Sequence, residues 1–120
     1  MTDGGGKQLT YVMNAGGTLP SILTIDDDNL TVTQCFINID GNTVSVAIGL
    51  KFTSAKTYSS NTLLIHGFPK QAQGIYIFVE SSGKNFYLND NGYLYMRTTS
   101  VTAGQTLWGV QFTYITNQYT

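Results

Sequence analysis

The chain has 120 residues and a mass of 13.1 kDa, which suits one domain with a modest core. Charged residues are 11% and apolar residues 42%, so the composition is not that of a disordered chain. The net charge is −1 and the six basic residues are scattered, which leaves no stripe to neutralise a row of phosphates and excludes duplex nucleic acid as the expected partner.

The single cysteine, Cys35, rules out an intrachain disulfide. No apolar run is long enough to cross a membrane as a helix, and the opening "MTDGGGKQ" has no signal-peptide core. Release by lysis is a route out of a cell that needs no such signal.

Apolar spacing is close to two throughout, and β-branched and aromatic residues dominate, so no significant helix is expected. Gly4–Gly6 reads as a flexible lead. Leu9–Met13 reads as a first strand, Asn14–Pro20 as loop and Ser21–Ile25 as a weak strand, with Asp26, Asp27 and Asp28 as a breaker. Leu30–Phe52 is the clearest signal: two strand-like arms around Asp40-Gly41-Asn42, a hairpin turn. In the second arm Val44, Val46, Ile48, Leu50 and Phe52 alternate with smaller or polar residues.

The register of the first arm can be read in two ways. A three-residue loop pairs Leu30 with Phe52 and Val32 with Leu50, and turns Cys35, Ile37 and Ile39 outward. A two-residue loop at Asp40-Gly41 turns Cys35 and Ile37 inward and sends Leu30, Val32 and Phe36 outward. Either way the arm is apolar on both faces and calls for two covers, one of them a loop or a neighbouring subunit.

Ser54–Asn61 reads as loop, Thr62–Pro69 as a short strand ending in a turn, and Ile75–Glu80 as a strand apolar on both faces. "SSGK" turns into Asn85–Asp90, and Asn91-Gly92 forms the loop of a second hairpin. That loop pairs Leu88 with Tyr95, Phe86 with Arg97 and Asp90 with Tyr93, leaving Tyr87, Leu94 and Met96 as the core set. Ser100–Thr106 is loop. The last strand carries Trp108, Val110, Phe112 and Tyr114 on one face and Gly109, Gln111 and Thr113 on the other. About eight short strands argue for an all-β fold, a small antiparallel β-sandwich or jelly-roll-like barrel.

Two stretches, "GNTVSVAIGLKFTSAKTYSSNTLLIHGFPK" and "NFYLNDNGYLYMRTTSVTAGQTLWGVQFTYIT", together resemble the C-terminal head domains of tail-fibre and receptor-binding proteins of long-tailed bacteriophages, those infecting Gram-positive bacteria above all. The resemblance covers Asn38–Thr116. It implies a β-sandwich or jelly-roll-like head, a homotrimer, contact with other tail or baseplate proteins, a place on the virion tail, and reversible binding of host cell-surface polysaccharide without cleavage. Where many relatives carry a stalk before the head, about 30 residues precede the expected head domain here. The expected organisation is a flexible or extended segment over 1–29 and a head domain over 30–120.

Sugar rings offer apolar C–H faces fringed by hydroxyls, so a site wants an aromatic plate beside amide, carboxylate or guanidinium groups. Asp90, Tyr93, Tyr95 and Arg97 are the carbohydrate-binding candidates. Cys35, Ile37, Ile39 and Trp108 are the candidates for a subunit interface. His66, the only histidine, has no nucleophile to serve, and the few acids beyond the Asp run do not make an acid–base pair, so no enzyme activity is expected. The Asp run lacks the alternate spacing of a calcium loop and reads as solvated; no metal or cofactor is expected. The alternatives are a trimerisation or baseplate connector without glycan binding, and a monomeric carbohydrate-binding module.

Overall fold

The computed structural model describes residues 8–72 and 74–118. The glycine run at Gly4–Gly6 lies outside them. Eleven strands follow one another, and the described residues include no helix. They are β1 (Gln8–Met13), β2 (Thr24–Ile25), β3 (Leu30–Asp40), β4 (Thr43–Phe52), β5 (Lys56–Tyr58) and β6 (Thr62–His66). Then come β7 (Ile77–Ser81), β8 (Lys84–Leu88), β9 (Tyr93–Met96), β10 (Thr99–Val101) and β11 (Thr106–Ile115).

A four-stranded sheet runs β1-β3-β4-β11 and a five-stranded sheet runs β2-β6-β9-β8-β7, with antiparallel pairing in both. Their inner faces share one core, to which Ile37, Ile39, Leu50 and Leu107 come from the first sheet and Ile65, Phe86, Leu88 and Leu94 from the second. The result is a small β-sandwich. The ribbon β5-β10 closes one end, where Tyr58 sets its ring edge-on to Phe52 at 6.1 Å. Both of its strands come from segments whose composition reads as loop, because three-residue strands hold too few side chains to show alternation.

Residues 8–29 belong to the sandwich. β1 pairs with β3 from Gln8↔Asp40 to Met13↔Cys35, and Met13 and Leu23 enter the core. The boundary expected after residue 29 is therefore absent.

The three-residue-loop register holds near the open end of the first hairpin, and toward the turn the inward side of Cys35 and Ile37 is that of the second reading, although its Asp40-Gly41 loop is not formed. Near its open end Leu30 pairs with Phe52 and Val32 with Leu50; beyond Thr33 the register shifts by one, and Cys35 pairs with Ile48 and Ile37 with Val46. At the turn Asp40 pairs with Thr43, so the loop is Gly41-Asn42. The extra residue, Thr33, is a β-bulge that flips the side-chain phase. Leu30 and Val32 point inward before it, and Cys35, Ile37 and Ile39 after it. Only Phe36 of the arm's apolar side chains stays exposed. The strand has one apolar face and needs no second cover. Cys35, Ile37 and Ile39 are sealed inside by this chain's own sheets, which removes them as surface for a neighbouring subunit.

The second hairpin is also shifted. Leu88 pairs with Leu94, Tyr87 with Tyr95 and Phe86 with Met96. Asn89 and Tyr93 close a three-residue loop, with the Asn89 N–H donating to Tyr93 O at 3.0 Å. The Asn89 side chain decides this: its Oδ1 accepts from the N–H groups of Asn91 (2.9 Å) and Tyr93 (3.0 Å), an Asx turn that outcompetes the two-residue Asn-Gly loop. Phe86, Leu88, Leu94 and Met96 fill the core, and Tyr87, expected inside, stands on the outer face.

Candidate ligand-binding site

A third irregularity makes the most distinctive surface feature. In β11 the register against β4 slips between Leu107 and Val110, so Trp108 and Gly109 form a bulge. Leu107 stays fully buried, while Trp108, expected to share the core face of Val110 and Phe112, is turned out and is 71% exposed. The bulges of β3 and β11 lie on opposite sides of the same residue of β4, Gly49. Gly49 pairs with Gln34, just past the first bulge, and an ideal Cβ built on it would lie 2.5 Å from Thr33 Oγ1. Bulges re-aim side chains, and two of them around a residue without a side chain leave a depression in the sheet.

Trp108 stands beside that depression, with a cleft on each side. One, of about 260 Å³, runs along Val12, Asn14, Phe36 and Ala47. The other, of about 570 Å³, lies under the Ala15–Gly17 loop and is lined by Thr31, Thr33, Lys51 and Thr106. Met13 and Gln34 border both. Thr33 Oγ1 is buried and makes no hydrogen bond within the described residues. The site combines an indole face, two side-chain amides, three hydroxyls and one ammonium group, and neither cleft is lined by a carboxylate. These are groups that bind hydroxyls and C–H faces; they do not form a general acid–base pair.

The carbohydrate-binding candidates lie on the opposite sheet. Tyr93, Tyr95 and Arg97 point outward from β9 and its continuation, and Asp90 sits apart in the turn. Their setting differs from the expected open platform. Tyr95 stacks on Tyr87 at 5.0 Å and 8°, and Tyr87 stacks on Tyr76 at 5.2 Å and 12°. Phe78 leans on the same ladder at 6.0 Å from Tyr87. Both faces of Tyr87 and one of Tyr95 are therefore taken. Crowding shows in the Tyr95 phenol, which burial first and the neighbouring tyrosines second push above its ordinary pKa. Tyr93 packs against His66 at 5.3 Å.

Two residues of the Asp run, expected to be solvated, have partners, while Asp28 is exposed. Asp27 is buried, accepts a 2.6 Å hydrogen bond from the Tyr58 hydroxyl and sits 3.7 Å from Lys56 Nζ. Asp26 Oδ2 lies 2.7 Å from His66 Nδ1. That is the base-and-orienter half of a catalytic triad, and among the described residues none hydrogen-bonds the other ring nitrogen. No cluster of three metal-ligating side chains occurs among the described residues. Cys35 is a buried thiol pushed up to about 11 by burial, which makes it a packing group with no reactive thiolate at neutral pH.

The Trp108 cleft escaped sequence reasoning because strict alternation carries Trp108 inward. Its one signal was Gly109 inside an otherwise apolar strand, a position that marks a bulge. Comparison of the chain with protein-family models, curated proteins and solved structures gives no match.

Proposed function

We propose that this chain is a receptor-binding head of the long-tailed phage type, acting as a homotrimer that grips host cell-surface saccharide without cleaving it. The observation that carries the saccharide reading is Trp108, a tryptophan 71% exposed and raised by a bulge between two clefts rich in amide and hydroxyl groups. An indole left in water needs a reason, and an apolar sugar face is one that the surrounding donors and acceptors suit. Clefts of this size fall near or within the usual range for small ligands. A single weak site would gain from repetition on a trimer through effective concentration.

The experiment uses the chain's only tryptophan as its own reporter. Cell-wall polysaccharide fragments from Gram-positive bacteria are titrated against the protein while the indole emission is followed. Covering one ring face removes roughly 80 Å² from water, about 2 kcal/mol at about 25 cal/mol/Å², so Trp108→Ala should weaken pull-down on the same polysaccharide about 30-fold. Light scattering of wild type and variant should give the same trimeric mass. An emission that ignores every wall preparation rejects Trp108 as the saccharide site. A variant that falls to monomers makes Trp108 a subunit contact, as the sequence suggested.

A further inference from the structure

The outer face of the five-stranded sheet carries a second concavity, which adjoins the aromatic ladder through Phe78. Glu80 and Asn85 pair directly across β7 and β8, and the N–H of Arg97, the residue after β9, donates to Asn85 O at 2.9 Å, so the three residues form one row. All three are exposed, and with Phe78 they line a cleft of about 320 Å³. Phe78 is 65% exposed and forms its apolar wall.

The charges in this row are held apart. Strand spacing places Glu80 and Arg97 about 10 Å from each other at the backbone, with Asn85 between them. No described carboxylate lies within ion-pair distance of the Arg97 guanidinium. One oxygen of Glu80 accepts the Gly83 N–H at 2.9 Å, which tethers the carboxylate at the tight Ser82-Gly83 turn. Its other oxygen takes no hydrogen bond from a described residue. A fixed acceptor, a central amide and a fork of donors, ranged beside a ring, match the hydroxyl fringe and C–H face of a hexose.

We propose that Phe78, Glu80, Asn85 and Arg97 form a second saccharide subsite that reads the ring hydroxyls of a neutral hexose, on the sheet opposite the Trp108 cleft. The ligand class rests on the saccharide reading above; the site is separate from it. The sandwich is about 21 Å thick along its shortest axis, so one sugar cannot occupy both sites. Two sites on opposite faces let one chain bridge two polysaccharide strands, a gain in avidity that needs no assembly.

The test is an NMR titration of the 15N-labelled protein with the methyl glycosides of glucose, galactose, rhamnose and N-acetylglucosamine at up to tens of millimolar. The Asn85 side-chain amide and the Arg97 Nε–H report this site, and the Trp108 indole N–H reports the other. At least one glycoside should shift the Asn85 and Arg97 signals saturably. Arg97→Ala and Glu80→Gln should each weaken that response tenfold or more, and Trp108→Ala should leave it unchanged. Shifts confined to Trp108 sink the second subsite and keep the first; shifts confined to the Asn85–Arg97 row do the reverse. Ligand-independent broadening of the Phe78 row that grows with protein concentration overturns the proposal by showing that a second copy covers it.

Discussion

The two bulges around Gly49 yield the most quantitative prediction. Replacing Gly49 by Ala adds a Cβ 2.5 Å from Thr33 Oγ1, while its next neighbours, Gln34 N and Leu107 O, lie at 3.7 Å in ordinary contact. Thr33 must therefore give way by nearly 1 Å, and as a β-branched residue in a bulge it has little rotamer freedom to do so. Overpacking of this kind costs about 1–3 kcal/mol, against a gain of about 0.5–1 kcal/mol from removing a glycine from a strand. The net expectation is a loss of about 1.5 kcal/mol. With an unfolding entropy of about 2.1 cal/mol/K per residue, a chain of 120 residues shifts its Tm by about 4 °C per kcal/mol, so the loss reads as about 6 °C. The assay is thermal unfolding by circular dichroism on a double-mutant cycle with Thr33→Ala, which removes the obstructing hydroxyl. In that background Gly49→Ala should be neutral or slightly stabilising. An equal loss in both backgrounds would show that the bulge does not press Thr33 against Gly49, and the account of the depression would fail.

Thr33→Ala alone should leave Tm unchanged or raised, because it deletes a buried hydroxyl with no partner in the described chain, while weakening the saccharide response of the Trp108 emission. Gly92→Ala should be far more damaging: Gly92 has φ +83° and a Cβ there would fall 2.0 Å from Phe68 O, so a loss of about 3 kcal/mol or more, some 12 °C, is expected in the same melt. Stability should also fall in alkali. Burial raises Cys35 from an ordinary 9.0 to about 11; burial and then the Asp27 carboxylate raise Tyr58 from 10.0 to about 12. The unfolded chain gives up these protons first, so the stabilisation is complete below about pH 9 and is lost between about pH 9 and 12, at roughly 1 kcal/mol per pH unit for each group titrating. Urea unfolding across that range should show the fall, and Tyr58→Phe should flatten its upper part; an unchanged profile in the variant would contradict the assignment.

The all-β class and most of the strands were legible because period-two alternation survives in single strands such as β4. The faces of β3 and β8 and the place of Trp108 in β11 were not, and one cause runs through all three. A bulge or a side-chain-capped turn changes register by one residue, and in a sheet that reverses every side chain beyond it. Thr33 made an ordinary one-faced strand look apolar on both sides. Asn89, bonding two N–H groups of its own turn, exchanged Tyr87 for Phe86 in the core. The Trp108–Gly109 bulge reversed the tryptophan. Of the four residues expected at a subunit contact, Trp108 alone reaches the surface. Of the four expected on sugar, Arg97 lines a cleft, Tyr93 and Tyr95 pack on other rings, and Asp90 sits apart in its turn.

The chain's outward aromatics differ in whether their faces are already occupied, and that difference can be measured. Tyr87 is stacked on both sides, by Tyr95 and by Tyr76, and stands over a core strand. Trp108 meets no other ring among the described residues. Two aromatic contacts at about 0.5–1.5 kcal/mol each make Tyr87→Ala cost about 2 kcal/mol of stability, near 8 °C in Tm, with little effect on the Trp108 emission titration. Trp108→Ala should show the opposite signature: a Tm within about 2 °C of wild type, since a ring so exposed contributes little to the core, and the large loss in polysaccharide pull-down. A destabilised Trp108→Ala with wild-type binding would mean that the indole serves the fold, and the two bulges would then have to be explained as packing devices.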